Sequence, residues 1–372
     1  MRPEHGGQLK KSEYRSAGGE AWLDFSVNLN PFAPQPTDAE WLAWKNDISS
    51  YPEPTSRSVD HLLEAYLGIE GSGRVITTQG AMEALKLSLG LCHGRTIHLP
   101  TPCFSEYAFL CEQWGLDCRI HEVPKSGWRE GRSWLEMDIE PGSAVLFGNP
   151  NNPFGVNLSI RDLEPMLLRF RQNDIRVIVD EAFIEFTKTP EDHSLCSVFF
   201  DYPNVMVVGS LTKSWCIPGI RLGYLISSDI HGIEKLRNRQ ITWPLNSIVC
   251  SWATSILVEE RIAEQRAGMT RLLETREALF ASLREFPFLE VYPSDANYCV
   301  CESTCVEIEI TEMIRFLESR KICVRTCDTI PGLPSGRYFR IGVRLPEENR
   351  RLIQALTEFG QSVGGELVRK AE

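Results

Sequence analysis

The stretch VMVVGSLTKS, residues 205–214, contains a short apolar run that leads directly into a polar loop with a single lysine, Lys213. A run of β-branched residues bounded by glycine and serine is typical of a central strand in a parallel sheet. Open α/β sheets bind ligands at the carboxyl ends of such strands, where Lys213 would lie. A lysine there can form a Schiff base with a carbonyl cofactor, although most single lysines are solvated loop residues.

Three further stretches favour a functional interpretation of Lys213. An apolar strand ends in a loop rich in turn formers and amides in AVLFGNPNNPFG (residues 144–155), and another ends in a carboxylate, Asp180, in IRVIVDEAF (175–183). The stretch TTQGAMEAL (77–85) is a loop that opens into a helix, whose free N–H groups can hold a phosphate. Each stretch alone is a weak signal, but their order along the chain is specific.

At these residues the chain resembles the fold-type I, class I/II family of pyridoxal-phosphate enzymes, to which many aminotransferases belong. The resemblance covers nearly the whole chain. It implies an α/β fold with a mainly parallel central sheet in a large domain and a smaller C-terminal α+β domain. It predicts an N-terminal arm over residues 1–35 that is part of the small domain, a large cofactor-binding domain over 36–245, and a small substrate domain over 246–372.

The resemblance also implies which residues bind the cofactor, pyridoxal 5′-phosphate. Lys213 and Asp180 are the predicted catalytic residues: Lys213 resembles the lysine that forms the Schiff base, and Asp180 resembles the partner of the pyridinium nitrogen. A carboxylate there would keep the ring nitrogen protonated, so that the ring can accept electrons. Asn152 resembles the amide that binds the ring 3′ oxygen. The residues expected at the cofactor phosphate are Ser210, Arg221, Gly80, Ala81 and Met82.

Aromatic residues complete the predicted cofactor site. Phe104 is expected to stack on the pyridine ring, with Tyr107 as the second candidate, because stacking desolvates the ring. Many relatives have a tyrosine three residues after the aspartate, where this chain has Phe183, so the 3′ oxygen would lose one donor. Tyr51 resembles a tyrosine that reaches the cofactor phosphate of a second subunit, which implies a homodimer with shared active sites. Otherwise Tyr51 is a turn aromatic that covers the core.

Motifs near the N-terminus narrow the resemblance. HGG at residues 5–7, DFSVNLNP at 24–31 and YP at 51–52 resemble the threonine-phosphate decarboxylases of cobalamin biosynthesis, whose nearest relatives are the histidinol-phosphate aminotransferases. Two glycines directly after His5 would let the backbone approach a ligand closely. A histidine this close to a terminus is otherwise a disordered residue.

The same resemblance implies a site for a small phosphorylated amino acid. Arg340 matches the arginine that binds the α-carboxylate, because a guanidinium binds a carboxylate bidentately. Arg325 matches an additional arginine of the threonine-phosphate decarboxylases and is expected at the substrate phosphate, together with His5 and Asn28. Asn152 is expected to contact the substrate as well as the cofactor.

The resemblance implies decarboxylation of L-threonine O-3-phosphate to (R)-1-amino-2-propanol O-phosphate and CO2. Transamination of histidinol phosphate or another amino acid is the alternative, because the reaction depends on which bond at Cα lies perpendicular to the cofactor ring. A catalytically idle protein of the same fold, acting by binding partners or ligand, is a third possibility that the intact set of cofactor residues argues against.

Composition argues against several other classes of protein. The chain has 372 residues, 42% of them hydrophobic, which suffices for a large core, and its net charge of −11 argues against nucleic acid or anionic membrane as a partner. No apolar run is long enough for a membrane span, and no signal pattern is present, so a cytoplasmic location is predicted. The twelve cysteines include no CxxC pair. They are therefore expected to be small buried hydrophobic residues, and no metal is expected.

Overall fold

The computed structural model describes residues 5–7, 21–304 and 310–370. Part of the predicted arm and one cysteine, Cys305, lie outside the described residues. The strands, in chain order, are β1 (Leu23–Asp24), β2 (Val75–Thr78), β3 (Ile97–Thr101), β4 (Cys118–Glu122), β5 (Ala144–Gly148), β6 (Arg176–Asp180), β7 (Val205–Ser210), β8 (Gly223–Ser227), β9 (Leu289–Val291), β10 (Tyr298–Ser303), β11 (Ile322–Cys323), β12 (Arg325–Thr326) and β13 (Tyr338–Gly342).

Helices flank these strands. In chain order they are α1 (Asp38–Lys45), α2 (Arg57–Tyr66), α3 (Ala81–Gly90), α4 (Glu106–Trp114), α5 (Ile160–Gln172), α6 (Leu211–Ser214), α7 (Ile230–Arg237), α8 (Ser247–Ile256), α9 (Glu259–Arg284), α10 (Ile310–Ser319) and α11 (Pro346–Lys370). None of the helices in the described part of the chain combines the length and the apolar character that a membrane crossing requires.

The central sheet of the described chain has seven strands in the order β2-β8-β7-β6-β5-β3-β4. Neighbouring strands are parallel except for β8, which runs antiparallel to both β2 and β7. The register pairs Gly148 of β5 with Asp180 of β6, and Asp180 with Val208 of β7. The carboxyl ends of β5, β6 and β7 therefore lie side by side, and the prediction of a mainly parallel central sheet is confirmed.

Helices cover both faces of this sheet because its strands are apolar on both sides. In β6, Val177 and Val179 pack into one hydrophobic cluster, together with residues of α5 and α8, whereas Ile178 packs into a second cluster with residues of α3 and α4. Alternate residues of a strand point to opposite faces. A strand buried on both faces has no polar alternation, which explains the continuous apolar run in β7.

A smaller antiparallel sheet has the order β12-β13-β10-β9, and β1 pairs in parallel with β11. The β1–β11 pairing joins the predicted N-terminal arm to the C-terminal region, with Leu23 opposite Ile322. In the antiparallel sheet, Arg325 of β12 lies opposite Arg340 of β13. The domain boundaries at residues 35 and 245 stay predictions.

Cysteines in the described chain make no disulfide bond, and eight of these eleven residues are buried. Among the described residues, no group of three or more His, Cys, Asp or Glu side chains is arranged to hold a metal ion. Burial raises the pKa of Cys103 to about 12, so this thiol stays protonated near neutral pH. The buried thiols behave as the small hydrophobic residues that the sequence predicts.

A buried ion pair fixes β2, the strand that precedes the Gly80 loop. Asp60 of α2 is 1% exposed, and its Oδ1 accepts hydrogen bonds from Thr77 N–H at 2.7 Å and from Thr77 Oγ1 at 2.7 Å. Arg237 of α7 pairs with the same carboxylate and also donates to the Val75 carbonyl at 2.6 Å. The pair thus links α2 and α7 to the strand that leads into the Gly80 loop.

We expect Asp60→Asn to lower the free energy of unfolding by about 3–5 kcal/mol, because it leaves the Arg237 guanidinium buried without a counter-charge. Urea titration of the cofactor-free protein would measure this loss. The control is Glu70→Gln, which removes an exposed carboxylate and should change stability by less than about 0.5 kcal/mol. Equal stability of the two variants would show that the pair does not stabilise the fold.

Candidate active site

A cavity of about 330 Å³ lies at the carboxyl ends of β5, β6 and β7. The described structure brings most of the predicted site residues to this one place. The predicted residues that line the cavity are His5, Asn28, Ala81, Met82, Phe104, Asn152, Asp180, Ser210, Lys213, Arg221 and Arg340.

Two oppositely charged side chains, Lys213 and Asp180, interact inside the cavity. Asp180 is the last residue of β6, and Lys213 lies in the one-turn helix α6 that follows β7, the neighbouring strand. Burial lowers the pKa of Lys213 to about 8; Asp180 opposes this shift, whereas Arg221 and Arg340 add to it. About a tenth of the amine is therefore neutral at pH 7, as a nucleophilic lysine requires.

Asp180 is held by two donors. Tyr107 Oη donates to Oδ2 at 2.8 Å, and Ala182 N–H donates to Oδ1 at 3.0 Å. Burial raises the pKa of Asp180, while the Lys213 charge and these hydrogen bonds act against that shift. Tyr107 thus contacts the carboxylate, and Phe104, whose ring meets Tyr107 edge-on at 5.6 Å, remains the candidate for stacking.

Arg340 is oriented by three neighbours. Its Nη1 donates to Asn152 Oδ1 at 2.8 Å, and its Nη2 donates to the Ser26 carbonyl at 3.3 Å. Asn28, in the amide orientation that satisfies both groups, accepts from Nη1 at 3.2 Å and from Nη2 at 3.1 Å. Because the Asn152 oxygen accepts from Arg340, its Nδ2 group is the part that can donate to a ring oxygen.

The opposite end of the cavity is built to hold an anion. Gly80 has a φ of +75°, and a Cβ at this position would lie 2.6 Å from Arg221 Nη2, so only glycine lets the guanidinium approach this loop. Helix α3 begins directly after Gly80 and has no side-chain cap, so its first N–H groups can bind a phosphate. Ser210 Oγ is hydrogen-bonded to Thr212 Oγ1 at 2.7 Å and adds a hydroxyl to this end.

The Phe183 ring lies next to the Lys213 amine. Lys213 Nζ is 4.6 Å from the centroid of the Phe183 ring, and this ring meets Tyr298 edge-on at 4.9 Å. The Tyr298 hydroxyl donates to the Asn151 carbonyl at 2.9 Å. Phe183 thus presents an apolar ring face to the amine. It has no hydroxyl that could donate to the 3′ oxygen of the cofactor.

Three predicted residues do not line the cavity of the described chain: Gly80, which directly precedes the lining residue Ala81, Arg325 and Tyr51. Arg325 is 8% exposed and donates from Nη2 to Thr329 Oγ1 at 3.0 Å, although it lies opposite Arg340 in the sheet. Tyr51 is 82% exposed and stacks on Trp243 with ring centroids 4.8 Å apart. Its exposure suits the predicted contact with a second subunit, and that contact stays a prediction.

Three contacts of the site were not predicted from the sequence. They are the Tyr107–Asp180 hydrogen bond, the Ser210–Thr212 hydrogen bond, and the contact of Glu106 with His5. The first and third join residues 73 and 101 positions apart, so no local pattern indicates them. Of these residues, only Thr212 could have been suspected from the sequence, because it directly precedes Lys213.

Comparison with known proteins agrees with this geometry. The family model described as "Aminotransferase class I and II" matches residues 20–356. The chain is 29% identical over 357 residues to the threonine-phosphate decarboxylase of Salmonella typhimurium, covering 95% of both chains. It is 28% identical over 360 residues to the histidinol-phosphate aminotransferase of Symbiobacterium thermophilum, covering 96% of this chain and 95% of that one. These close values support the family and do not separate the two reactions.

A solved structure supports the fold. The histidinol-phosphate aminotransferase of Sinorhizobium meliloti, in complex with pyridoxal-5′-phosphate, matches with a TM-score of 0.76 at 19% identity, covering 91% of this chain and 90% of that one. Together with the family match, it confirms the predicted fold class. Pyridoxal 5′-phosphate is the cofactor, as predicted.

The chemistry of the cavity fits this cofactor. An amine with a pKa of about 8 suits the aldehyde, the buried Asp180 carboxylate suits a protonated ring nitrogen, and the end formed by Gly80 and Arg221 suits the phosphate. Lys213, Asp180 and Arg221 all line this one cavity. At position 80, even a Cβ atom would clash with the Arg221 guanidinium.

We expect cofactor-free protein to bind pyridoxal 5′-phosphate faster as the pH rises, because only the neutral Lys213 amine attacks an aldehyde. The pKa of Lys213 is lowered to about 8, so the rate should rise about fivefold from pH 7 to pH 8 and become constant above about pH 9. Stopped-flow absorbance would follow the uptake.

Asp180→Asn should move the midpoint of this pH profile downward, since the aspartate raises the pKa of Lys213. Asp138→Asn, which changes an exposed carboxylate, is the control and should leave the profile in place. A rate that still rises tenfold per pH unit above pH 9 would contradict the assignment of Lys213.

Proposed function

The chain belongs to the aminotransferase class I and II family and is a pyridoxal-phosphate enzyme, and we propose that it decarboxylates L-threonine O-3-phosphate. The products would be (R)-1-amino-2-propanol O-phosphate and CO2, and the reaction would serve cobalamin biosynthesis. The relative named threonine-phosphate decarboxylase, 29% identical over 95% of this chain, supports this choice within the family.

The observation that carries the proposal is the position of His5. Its ring lines the same cavity as Lys213 and Arg340, although the three residues are far apart in the sequence. Its centroid is 5.9 Å from that of Phe104. A histidine beside an arginine-bearing mouth can bind a phosphate group, which a plain amino acid lacks.

Binding of the substrate would use both arginines that face each other in the antiparallel sheet. We assign the α-carboxylate to Arg340, whose guanidinium is already oriented by Asn152 and Asn28. We assign the phosphate to Arg325, His5 and Asn28. These positive charges are local, because the chain as a whole carries a net charge of −11.

Binding of both the carboxylate and the phosphate of the substrate would determine which bond at Cα breaks. A phosphate held by Arg325 and His5, with a carboxylate held by Arg340, would limit rotation about Cα and would so select the bond that breaks. When bound, the cofactor accepts the electron pair that the broken bond leaves at Cα. Lys213 would then return a proton to Cα, and Asp180 would keep the ring nitrogen protonated.

We also propose a homodimer with shared active sites. Tyr51 would contact the cofactor phosphate of the second subunit, and its exposed, stacked position next to Trp243 leaves it available. Ile48 and Ile241, close to these two residues in the sequence, are also exposed, by 68% and 66%. Exposed apolar residues of this kind are common at interfaces between subunits.

Transamination of histidinol phosphate is the second candidate. The relative named histidinol-phosphate aminotransferase, which is 28% identical over 96% of this chain, favours it about as strongly. In this case Lys213 would remove the Cα hydrogen as a base, and the same phosphate-binding residues would hold the substrate. The two reactions differ in their need for a 2-oxo acid.

We expect the holoenzyme to release CO2 from L-threonine O-3-phosphate without any 2-oxo acid, with one aminopropanol phosphate formed per CO2. Gas release and chromatography of the amine would measure both products, and the absorbance of the cofactor should stay unchanged after turnover. Lys213→Ala serves as the inactive control. Glutamate formation that depends on added 2-oxoglutarate would favour the aminotransferase instead.

Arg325→Ala should raise KM for L-threonine O-3-phosphate at least tenfold, since a lost hydrogen bond to a charged group costs about 1.5–3 kcal/mol. The affinity for pyridoxal 5′-phosphate should change by less than twofold. Arg315→Ala removes an exposed arginine and is the matched control. Equal losses of substrate and cofactor affinity would mean that Arg325 does not bind the substrate.

A further inference from the structure

We propose that Glu106 is a positioning residue that fixes His5 at the mouth of the cavity and thereby selects phosphorylated substrates. The inference rests on the proposed function, because it assigns His5 to the substrate phosphate. Glu106 is the first residue of α4 and is 5% exposed. Its Oε1 lies 2.5 Å from His5 Nε2, and among the described residues this histidine is its one hydrogen-bond partner.

The contact determines how the His5 ring is presented. A carboxylate only accepts hydrogen bonds, so His5 Nε2 carries the hydrogen in this contact and the direction of Nδ1 is fixed with it. Donation from Nδ1 to a phosphate oxygen then requires the imidazolium form, in which both ring nitrogens donate. Glu106 balances that positive charge, and its own negative charge is favoured at the N-terminus of α4.

The backbone after His5 is fixed by separate contacts. Gly7 N–H donates to Ser26 Oγ at 2.9 Å, and a Cβ on Gly6 would lie 2.1 Å from the Ser26 carbonyl oxygen, so glycine is required for this close approach. The Ser26 carbonyl accepts from Arg340 Nη2 at 3.3 Å. A continuous set of contacts therefore runs from Glu106 through residues 5–7 to the arginine assigned to the carboxylate.

The test is Glu106→Gln in the full holoenzyme. The amide keeps the shape and can still accept a hydrogen bond, but it no longer balances an imidazolium. KM for L-threonine O-3-phosphate should rise about tenfold with kcat within twofold, while binding of unphosphorylated L-threonine, followed by the cofactor absorbance, should not change. Glu112→Gln, on the exposed side of the same helix, is the matched control and should behave as the wild type.

A double-mutant cycle with His5→Ala separates positioning from a merely structural role. If Glu106 acts through His5, then Glu106→Gln should cause no further rise of KM in the His5→Ala background. Additive losses, or an unchanged KM in the single variant, would overturn the proposal.

Binding of inorganic phosphate to the holoenzyme distinguishes this proposal from the proposed reaction. We expect Glu106→Gln to weaken phosphate binding severalfold and to speed hydrogen exchange of the Gly7 amide, whichever reaction the enzyme catalyses. If the wild type shows no decarboxylation but these two effects appear, the reaction is wrong and the role of Glu106 stands. If neither effect appears, the role of Glu106 is wrong.

Discussion

The pairing of two opposite charges, the buried Asp180 and the half-buried Lys213, is the constraint on which the rest of the site depends. Neither group would be tolerated alone in an apolar interior, and burial shifts the pKa of the acid upward and that of the amine downward. The parallel register of β6 and β7 places the two residues at adjacent strand ends. Hydrogen bonds from Tyr107 and the Ala182 amide then fix the position of the Asp180 carboxylate.

Local patterns in the sequence predicted the parts of the fold that local forces determine. The strand before Lys213, the strand ending at Asp180 and the helix after Gly80 each follow from apolar runs and turn residues. The antiparallel direction of β8 has no such signal, because direction depends on the connection and not on composition. Likewise, the partner of Asp180 and the partner of His5 come from α4, whose place beside the cavity is set by packing of the whole sheet.

Arg325 and Arg340 show how stability and binding are balanced in the small sheet. They are directly opposite residues of neighbouring antiparallel strands, a position in which like charges repel. Burial, and to a lesser degree the neighbouring Arg325, lowers the pKa of Arg340. If the substrate binds as proposed, its carboxylate and phosphate would reduce this repulsion.

The parallel pairing of Leu23 with Ile322 has a consequence for biosynthesis. The ribosome synthesises β1 early. Its partner strand, β11, is made only after most of the polypeptide has emerged. The seven strands of the central sheet are complete once Ser227 has been synthesised. The nascent chain can therefore assemble the half that carries Asp180 and Lys213 well before β1 has its partner strand.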